Sequence, residues 1–216
     1  EHIAVSFNGG KDCTILLELV SVIAAHRRPT SASPLKLIAS YVTHPDGFPE
    51  VDQFVDEAVQ RYNLDLVKTA GPLKQGLTEF MQLRPHIQAM VVGTRRTDPH
   101  GATMHHFEPT NGDWPRFMRV NPVINWSYTE VWTFLKQLHV PYCSLYDKGF
   151  TSLGETRSTK PNHALANPSL LCGYNPAWTL TDCSRERYGR STPVTSGEIK
   201  SFNGSSRNVP PQSQQK

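Results

Sequence analysis

The sequence predicts an α/β fold in which a parallel sheet is covered by helices on both faces. Short apolar runs rich in β-branched residues alternate with longer stretches of helical period. The stretch Glu50–Tyr62 has the clearest helical period, with apolar residues at i, i+3, i+4 and i+7. Strands that are apolar on both faces and alternate with helices are typical of parallel sheets.

The elements follow one another along the first 140 residues. The pattern predicts strands at Ile3–Phe7, Lys36–Val42, Asp65–Thr69 and Gln88–Gly93. It predicts helices at Lys11–Ala25, Glu50–Tyr62, Pro72–Leu83 and Ser127–His139, the last opened by a capping box of Ser127 and Glu130. The residues expected to face the core are Leu16, Leu17, Val20 and Ile23 in the first helix, Val51, Phe54, Val55, Ala58, Val59 and Tyr62 in the second, and Val131, Trp132, Leu135 and Leu138 in the last.

Two stretches depart from this alternation. Thr94–Phe117 is predicted to be a long loop at the carboxyl end of the Gln88–Gly93 strand, and loops of that length inside a domain are usually functional. Residues 142–190 contain enough aromatic residues to predict an ordered segment, whereas the composition of residues 191–216 is typical of disorder. We therefore expect a single domain over residues 1–190 and a disordered tail over residues 191–216.

Composition restricts the classes of partner. The 216-residue chain has a net charge of +3, of which +2 lies in residues 191–216, and no basic cluster follows one face. No apolar run has the roughly 18 residues of a membrane helix. Its four cysteines contain no Cys-x-x-Cys pair, which argues against structural zinc. We expect a cytoplasmic protein with neither nucleic-acid nor membrane partners, although an upstream targeting segment is not excluded by a chain that opens on its first strand.

The most informative segment is Ser6-Phe7-Asn8-Gly9-Gly10-Lys11-Asp12, where the first strand passes into the first helix. Backbone N–H groups and a helix N-terminus at such a junction suit a phosphate. The two glycines allow a close approach of the backbone, and Lys11 adds a positive charge. Asp12 would repel a phosphate unless a cation intervenes, so magnesium held by Asp12 is the natural inference.

A plainer interpretation of the same letters stays open, in which Gly9-Gly10 is only a tight turn before an exposed helix. The spacing matches neither the Walker A loop nor the dinucleotide-binding fingerprint.

A second motif, Gly93-Thr94-Arg95-Arg96-Thr97-Asp98-Pro99, closes a strand with two arginines and an aspartate. Arginine forks match phosphate bidentately. On spacing alone, a structural Arg–Asp pair that anchors the loop is equally acceptable. The histidines nearby, His100, His105 and His106, favour a polar loop surface over a metal site, because adjacent side chains point apart.

The first motif resembles the PP-loop of the adenosine nucleotide α-hydrolase superfamily, in the variant that sulfonucleotide reductases and eukaryotic FAD synthases share. The second motif resembles the flavin-binding motif of fungal-type FAD synthases (FMN adenylyltransferases). The runs 119–126, 131–135 and 141–154 are similar to the same family, as is Glu186-Arg187-Tyr188-Gly189-Arg190. The similarity covers roughly residues 3–190, with the blocks in the same order.

The resemblance implies a Rossmann-like, PAPS reductase-like domain that transfers AMP from ATP to FMN with Mg²⁺, giving FAD and pyrophosphate. It implies a monomer that acts on small molecules and hands FAD to apo-flavoproteins. The implied catalytic residues are Asn8, Asp12, Arg187 and Arg190. The implied ATP and phosphate-binding residues are Ser6, Phe7, Asn8, Gly9, Gly10, Lys11, Tyr41 and Val42, and those for flavin are Gly93, Arg95, Arg96 and Asp98. From the loop sequence itself we add Trp114, with Asp113 beside it, as the preferred neighbour of the flavin ring, and Trp126 as a second candidate.

Two alternatives stay open. A sulfonucleotide reductase needs a nucleophilic cysteine in a Glu-Cys-Gly-x-His signature, and Leu171-Cys172-Gly173-Tyr174-Asn175 breaks that signature. A non-catalytic flavin- or nucleotide-binding module would not need the PP-loop residues, yet Asn8 to Asp12 are all present.

Overall fold

The structure is a computed structural model that describes residues 2–27 and 36–191. Its strands are β1 (Ile3–Ser6), β2 (Leu37–Thr43), β3 (Leu64–Ala70), β4 (Ala89–Val91), β5 (Phe107–Pro109) and β6 (Met118–Val120). Its α-helices are α1 (Lys11–His26), α2 (Pro49–Tyr62), α3 (Leu73–Leu83) and α4 (Tyr128–Gln137). Short 3₁₀ turns follow at Ser144–Lys148, Thr156–Ser158, His163–Leu165, Ala177–Thr179 and Cys183–Arg185.

The strands form one sheet in the order β3-β2-β1-β4-β6-β5. All neighbouring pairs are parallel except β5 and β6, which are antiparallel. The chain moves outward from β1 through β2 to β3 and then returns to place β4 on the other side of β1. The strand order therefore reverses at β1, which is where ligands bind in open parallel sheets, beyond the carboxyl ends of the strands.

Helices cover both faces of this sheet, as the sequence predicts. Alternate residues of β1 divide between the two faces, with Val5 in the larger core and Ala4 in the smaller one. The larger core contains the apolar faces of α1, α2 and α4, whereas the smaller one packs Leu77 and Phe80 of α3 against the sheet. Trp132 is buried in the larger core, as predicted.

Two predicted core positions are wrong. Ile23 is 53% exposed and Leu138 is 59% exposed. The 16-residue α1 is much longer than the four-residue β1 beside it, so its last turns extend past the sheet. Leu138 is the C-cap of α4 and lies beyond the packed turns.

The predicted loop Thr94–Phe117 contains a strand, which the sequence analysis missed. Phe107–Pro109 pairs with Met118–Val120 as an edge hairpin, which makes the sheet mostly rather than wholly parallel. The segment 142–190 contains the five 3₁₀ turns. The predicted disordered tail lies outside the described residues except for Ser191. Among the described residues, no helix is both long and apolar enough to cross a bilayer.

Candidate active site

The PP-loop lies at the carboxyl end of β1, in the position where the strand order reverses. Gly9 has a φ of +72°, and a Cβ at this residue would lie 2.8 Å from a side-chain carbon of Val51. Only glycine fits that backbone against α2. The exposed Asn8 side chain folds back, and its Oδ1 accepts a hydrogen bond of 3.0 Å from the Gly10 N–H. Gly10 is the N-cap of α1 and supplies no side chain to that helix end.

Tyr146 closes the inner side of the loop. The Lys11 N–H donates a 2.8 Å hydrogen bond to the Tyr146 hydroxyl, which comes from the 3₁₀ turn Ser144–Lys148. Burial raises the pKa of Tyr146 well above its ordinary value, so the phenol stays protonated at neutral pH. The turn after α4 is thereby tied to the first residue of α1.

A buried ionic cluster joins the PP-loop to two distant segments. Lys11 Nζ lies 3.1 Å from Asp12 and 2.5 Å from Glu186 Oε1. Arg95 is fully buried; its Nε lies 2.7 Å from Asp12 Oδ1, and its terminal nitrogen is 2.5 and 2.6 Å from the Glu186 oxygens. Two cations are thus enclosed by two carboxylates, which is how buried charges are tolerated.

The neighbouring carboxylates favour the charged forms of Lys11 and Arg95. Burial acts to lower the pKa of Lys11, but Asp12 and Glu186 outweigh it, so that pKa is raised. The same balance raises the pKa of Arg95, since Asp12 and Glu186 offset its burial. Both side chains stay positively charged, and their charge is largely compensated inside the protein.

Asp98 borders the same cluster. Its Oδ2 accepts a 2.9 Å hydrogen bond from the Arg95 N–H, and Arg187 lies 3.9 Å from its Oδ1. Burial raises the pKa of Asp98, and the nearby charge of Asp12 raises it further. The two partly buried carboxylates offer oxygen ligands, which suit a divalent cation.

Arg190 lies at the edge of this site. One terminal nitrogen donates a 2.6 Å hydrogen bond to the Leu153 carbonyl, and the guanidinium packs on Gly154, where a Cβ would lie 2.3 Å away. Its Nε is buried without a hydrogen-bond partner among the described residues. Burial and the neighbouring Arg187 lower the pKa of Arg190. An anion that reached this point would relieve both the repulsion and the missing hydrogen bond.

Residues 2–161 match the phosphoadenosine phosphosulfate reductase domain family. Over 196 residues the chain is 43% identical to the probable FAD synthase of Schizosaccharomyces pombe, covering 90% of this chain and 73% of that protein. This chain belongs to the FAD synthase family. The family expected from the PP-loop, the flavin motif and the Glu-Arg-x-Gly-Arg segment is therefore confirmed.

Further relatives of the FAD synthase family agree with this assignment. The chain is 42% identical to the probable FAD synthase of Caenorhabditis elegans over 88% of this chain, but it spans 37% of that protein. The structure superposes with a TM-score of 0.79 on FMN adenylyltransferase of Candida glabrata in complex with FMN and an ATP analogue, with 29% identity over 88% of this chain and 81% of the other. Phosphoadenylyl-sulfate reductase of Candida auris, at 16% identity and a TM-score of 0.54, shares the fold.

The flavin-motif residues of this FAD synthase family member divide into three groups in space. Gly93 packs on the start of α1, where a Cβ would lie 3.0 Å from the Cys13 nitrogen. Arg95 and Asp98 lie in and beside the buried cluster. The Arg96 guanidinium holds its own loop instead, donating to Asn125 Oδ1 at 2.7 Å and to the carbonyls of Ala102 and Met104.

The other residues predicted to contact ligands have partners outside the cluster. Asp113 forms an ion pair with Lys74 in the first turn of α3, and Trp114 is partly exposed beside it. Trp126 packs edge-on against Phe134 with ring centroids 5.6 Å apart. Tyr41, predicted beside adenine, donates its hydroxyl to Asp52 at 2.6 Å and lies in the larger core, whereas Val42 borders the smaller one.

Sequence reasoning missed the roles of Tyr146 and Glu186. Each lies inside a segment that was noted for its resemblance, but neither has a signal that reveals its partner. Glu186 is 175 residues from Lys11 along the chain, so only the folded structure brings them together. Phe7 serves the core, with its ring 6.2 Å from that of Phe54, and Ser6 ends β1.

His100, His105 and His106 of the long loop are exposed, as the predicted polar loop surface requires. Within the described residues, the group with the spacing of metal ligands is instead His44, Asp46 and Glu155, whose ligand atoms lie within 4.8 Å of one another. Asp46 is also paired with Arg157, and His44 with Glu155, so internal contacts account for this cluster.

Proposed function

We propose that this chain transfers AMP from ATP to FMN and releases FAD and pyrophosphate. The observation that carries the proposal is the meeting of three separate motifs, the PP-loop, the Arg95–Asp98 segment and the Glu186–Arg190 segment, around one ionic cluster. FMN adenylyltransferase of Candida glabrata, which this structure resembles, was solved both with FMN and AMPCPP and with FAD and inorganic pyrophosphate. FMN is a substrate of the proposed reaction, AMPCPP is an analogue of the other substrate, and FAD and pyrophosphate are its products.

The chemistry is an in-line displacement at the α-phosphorus of ATP. A terminal oxygen of the FMN phosphate forms a bond to that phosphorus, and the bond from the phosphorus to the bridging oxygen of the β-phosphate breaks. The nucleophile is already an anion, so neither a covalent intermediate nor a proton transfer to the protein is required. The protein must align two polyanions and neutralise their charge.

We assign the ATP phosphates to the PP-loop. Asn8, Gly9 and Gly10 present an amide side chain and closely approaching backbone beside the N-terminus of α1, where anions are favoured. Lys11 supports this site from behind the loop, since its ammonium group is enclosed by Asp12 and Glu186. Ser6 and Phe7 lead the chain into the loop. Adenine is assigned to the edge near Tyr41 and Val42.

We assign charge neutralisation at the reacting phosphates to Arg187 and Arg190. Both guanidinium groups are half-buried and mutually repulsive in the absence of an anion. Arg190 also has an Nε hydrogen that lacks an acceptor in the described structure. A phosphate oxygen would supply that acceptor and separate the two like charges.

The donor set fits Mg²⁺ at the cluster border. Asp12 and Asp98 offer carboxylate oxygens, the ligands that Mg²⁺ prefers, and burial together with the charge of Asp12 raises the pKa of Asp98. We assign the metal to Asp12, with Asp98 as its neighbour. When bound there, Mg²⁺ would offset the charge of the phosphates.

The flavin is assigned to the surface beyond β4. We assign its near edge to Gly93, Arg95, Arg96 and Asp98, which act either directly or by holding the loop. Trp126, which packs on Phe134 and follows the Asn125 partner of Arg96, is assigned to the same surface. Asp113 and Trp114 supply a polar group and a ring on the exposed turn after β5. We further propose a monomer that passes FAD to apo-flavoproteins.

The test is a chromatographic assay of the chain with FMN, ATP and Mg²⁺ that follows FAD and pyrophosphate together. We expect equimolar products, lost on chelation and in Asn8→Ala. Gln53→Ala is the matched control, because it removes an exposed side-chain amide whose partner is Glu57 of the same helix, α2. Binding of FMN and ATP without product would instead favour a non-catalytic binding module.

A further inference from the structure

Glu186 is a buried acid that the proposed chemistry does not use. It is 6% exposed, and both carboxylate oxygens are occupied. Its Oε1 accepts from Lys11 Nζ at 2.5 Å and from an Arg95 terminal nitrogen at 2.5 Å, and its Oε2 accepts from that same nitrogen at 2.6 Å. This carboxylate therefore joins the first residue of α1 to Arg95, near the start of the long loop after β4.

The main chain around Glu186 is fixed as firmly as its side chain. The Glu186 carbonyl accepts a 2.5 Å hydrogen bond from the Thr151 hydroxyl. The Asn162 side-chain amide donates to the same hydroxyl at 2.9 Å and to the Arg185 carbonyl at 2.8 Å. Thr151 and Asn162 are both buried, so these bonds are shielded from competing water.

The two arginines assigned to the reacting phosphates follow directly after this fixed point. Arg190 N–H donates to the Arg187 carbonyl at 2.8 Å, so residues 187–190 form a single turn. The turn is also held from one side, where the Lys160 N–H donates to the Gly189 carbonyl at 2.8 Å and Arg190 donates to the Leu153 carbonyl. Its link to the PP-loop is through the residue that precedes it. Within the described residues, Glu186 is the member of the 186–190 segment that forms ion pairs with a PP-loop residue.

We propose that Glu186 is a positioning residue that fixes the Arg187–Arg190 turn against the PP-loop, with Lys11 and Arg95 as its counter-ions. This inference rests on the proposed function for its catalytic consequence. Because Glu186 neutralises Lys11 and Arg95 internally, the cations left for substrate phosphate are those of the turn that it anchors. The arrangement separates charges that hold the site together from charges that meet the substrate.

The kinetic test compares Glu186→Gln with the wild type. Glutamine has nearly the same shape but cannot neutralise two cations, so the turn should lose its anchor. We expect kcat to fall roughly tenfold or more, while KM for ATP changes by less than about twofold because the PP-loop backbone still binds the phosphates. Glu186→Asp, which keeps the charge, should recover part of kcat.

A double-mutant cycle separates positioning from general damage. If Glu186 acts through Arg190, then Arg190→Ala should cost kcat about threefold or less in the Glu186→Gln background, although it costs far more in the wild type. Fully additive losses would overturn the proposal. Asp65→Asn is the matched control, because it removes a carboxylate at the start of β3 whose two oxygens each lie 3.1 Å from an Arg84 terminal nitrogen. It should leave kcat within about twofold of wild type.

A readout that does not depend on catalysis is hydrogen exchange. The N–H groups of Tyr188 and Arg190 are bonded within the turn, to the carbonyls of Arg185 and Arg187. Glu186→Gln should speed exchange in a peptide over residues 185–191 by roughly tenfold, with no change in α4. If the wild type made no FAD, the proposed function would fail while this measurement still decided the anchoring role.

If Glu186→Gln does not fold, Thr151→Val tests the same proposal without changing any charge. It removes only the hydroxyl that holds the Glu186 carbonyl, and it should lower kcat and speed exchange at residues 185–191. The proposal is overturned if the folded variant, Glu186→Gln or Thr151→Val, keeps both kcat and exchange within about twofold of wild type.

Discussion

Arg190 is the residue at which structure and proposed chemistry meet most directly. One side of its guanidinium is held by the Leu153 carbonyl, while its buried Nε lacks a partner in the described chain. Buried polar groups without partners are uncommon and are often explained by a ligand. The close packing on Gly154 restricts where this guanidinium can point, so the free N–H faces a defined location.

Replacing Arg190 by alanine should lower turnover while leaving the fold intact. A charge-assisted hydrogen bond contributes about 1.5–3 kcal/mol, which corresponds to roughly one to two orders of magnitude in kcat. Steady-state FAD formation measures this loss. Arg157→Ala is the control, because its largely exposed guanidinium contacts Asp46 instead. An unchanged kcat in Arg190→Ala would remove Arg190 from the mechanism.

Asp98 should show opposite effects on stability and activity. Burial raises its folded-state pKa, so the stability it contributes is present below its unfolded pKa and is lost as pH rises through the folded value. Asp98→Asn removes this loss of stability at pH 7. We therefore expect its urea denaturation midpoint at pH 7 to equal or exceed that of the wild type. FAD synthesis should fall, because the proposed Mg²⁺ site loses a neighbouring carboxylate.

The control for Asp98→Asn is Asp182→Asn, for which we expect the opposite change in stability. Asp182 is exposed, and its hydrogen bonds with Ser184 lower its pKa, so Asp182→Asn should lose stability above the unfolded pKa instead of gaining it. Urea denaturation at pH 4 and pH 7 for both variants measures the two signs. A large loss of stability in Asp98→Asn at pH 7 would contradict this account.

At the scale of elements, α4 illustrates what local chemistry determines. The Ser127 hydroxyl accepts from the Glu130 N–H at 3.2 Å, and Glu130 Oε2 accepts from the Ser127 N–H at 2.7 Å, which completes the capping box that the sequence predicts. This helix buries Val131, Trp132 and Leu135. The start of α4 therefore fixes the packing beneath Tyr146 and the PP-loop.

Ser127→Ala should destabilise the protein by about 0.5–2 kcal/mol, since N-cap replacements typically cost this much. Urea denaturation of the purified variant measures the change. Ser21→Ala is the matched control; its hydroxyl donates to the Glu18 carbonyl within α1 and caps no helix end. Equal effects of the two substitutions would argue against a capping contribution from Ser127.

Elements that depend on distant partners could not be predicted in the same way. The strand Phe107–Pro109 is three residues long, has an exposed Phe107, and exists because Met118–Val120 pairs with it. Ile23 continues the apolar period of α1 although the sheet beneath it has ended. Periodicity therefore identified the central strands and helices but neither the edge hairpin nor where helix contacts stop.

The same distinction applies to the candidate site. The PP-loop and the Arg95–Asp98 motif are local patterns, so sequence alone placed both at carboxyl ends of strands. The pairing of β1 with β4, which makes those strands neighbours, is known only from the structure. The Glu186 contacts with Lys11 and Arg95 span 175 and 91 residues. No local pattern carries such information, because the pairing depends on how the whole 142–190 segment folds back.

At the scale of the whole molecule, the placement of the cysteines opposes reductase chemistry. Burial raises the pKa of Cys13 to about 12 and that of Cys143 to about 11, so neither thiol is a thiolate at neutral pH. Cys172 is exposed on a turn beside the fully exposed Leu171. None of these three thiols is both exposed and part of the ionic cluster of the site.

We therefore expect iodoacetamide to modify Cys172 rapidly in the native protein and to leave Cys13 and Cys143 unmodified, as peptide mass spectrometry can measure. Cys172→Ser should keep full FAD synthesis and release no sulfite from a phosphosulfate nucleotide. Loss of FAD synthesis in Cys172→Ser would mean that this turn contributes to the reaction.

The central claim is that FMN phosphate attacks the α-phosphorus of ATP at the PP-loop, and position-specific labelling tests it most directly. ATP labelled at the α-phosphorus should transfer its label to FAD, and ATP labelled at the γ-phosphorus should release its label as pyrophosphate, in equal amounts. Both transfers should disappear in Asn8→Ala. Label from the γ-position in the flavin product, or α-label released as AMP without FAD, would contradict the account.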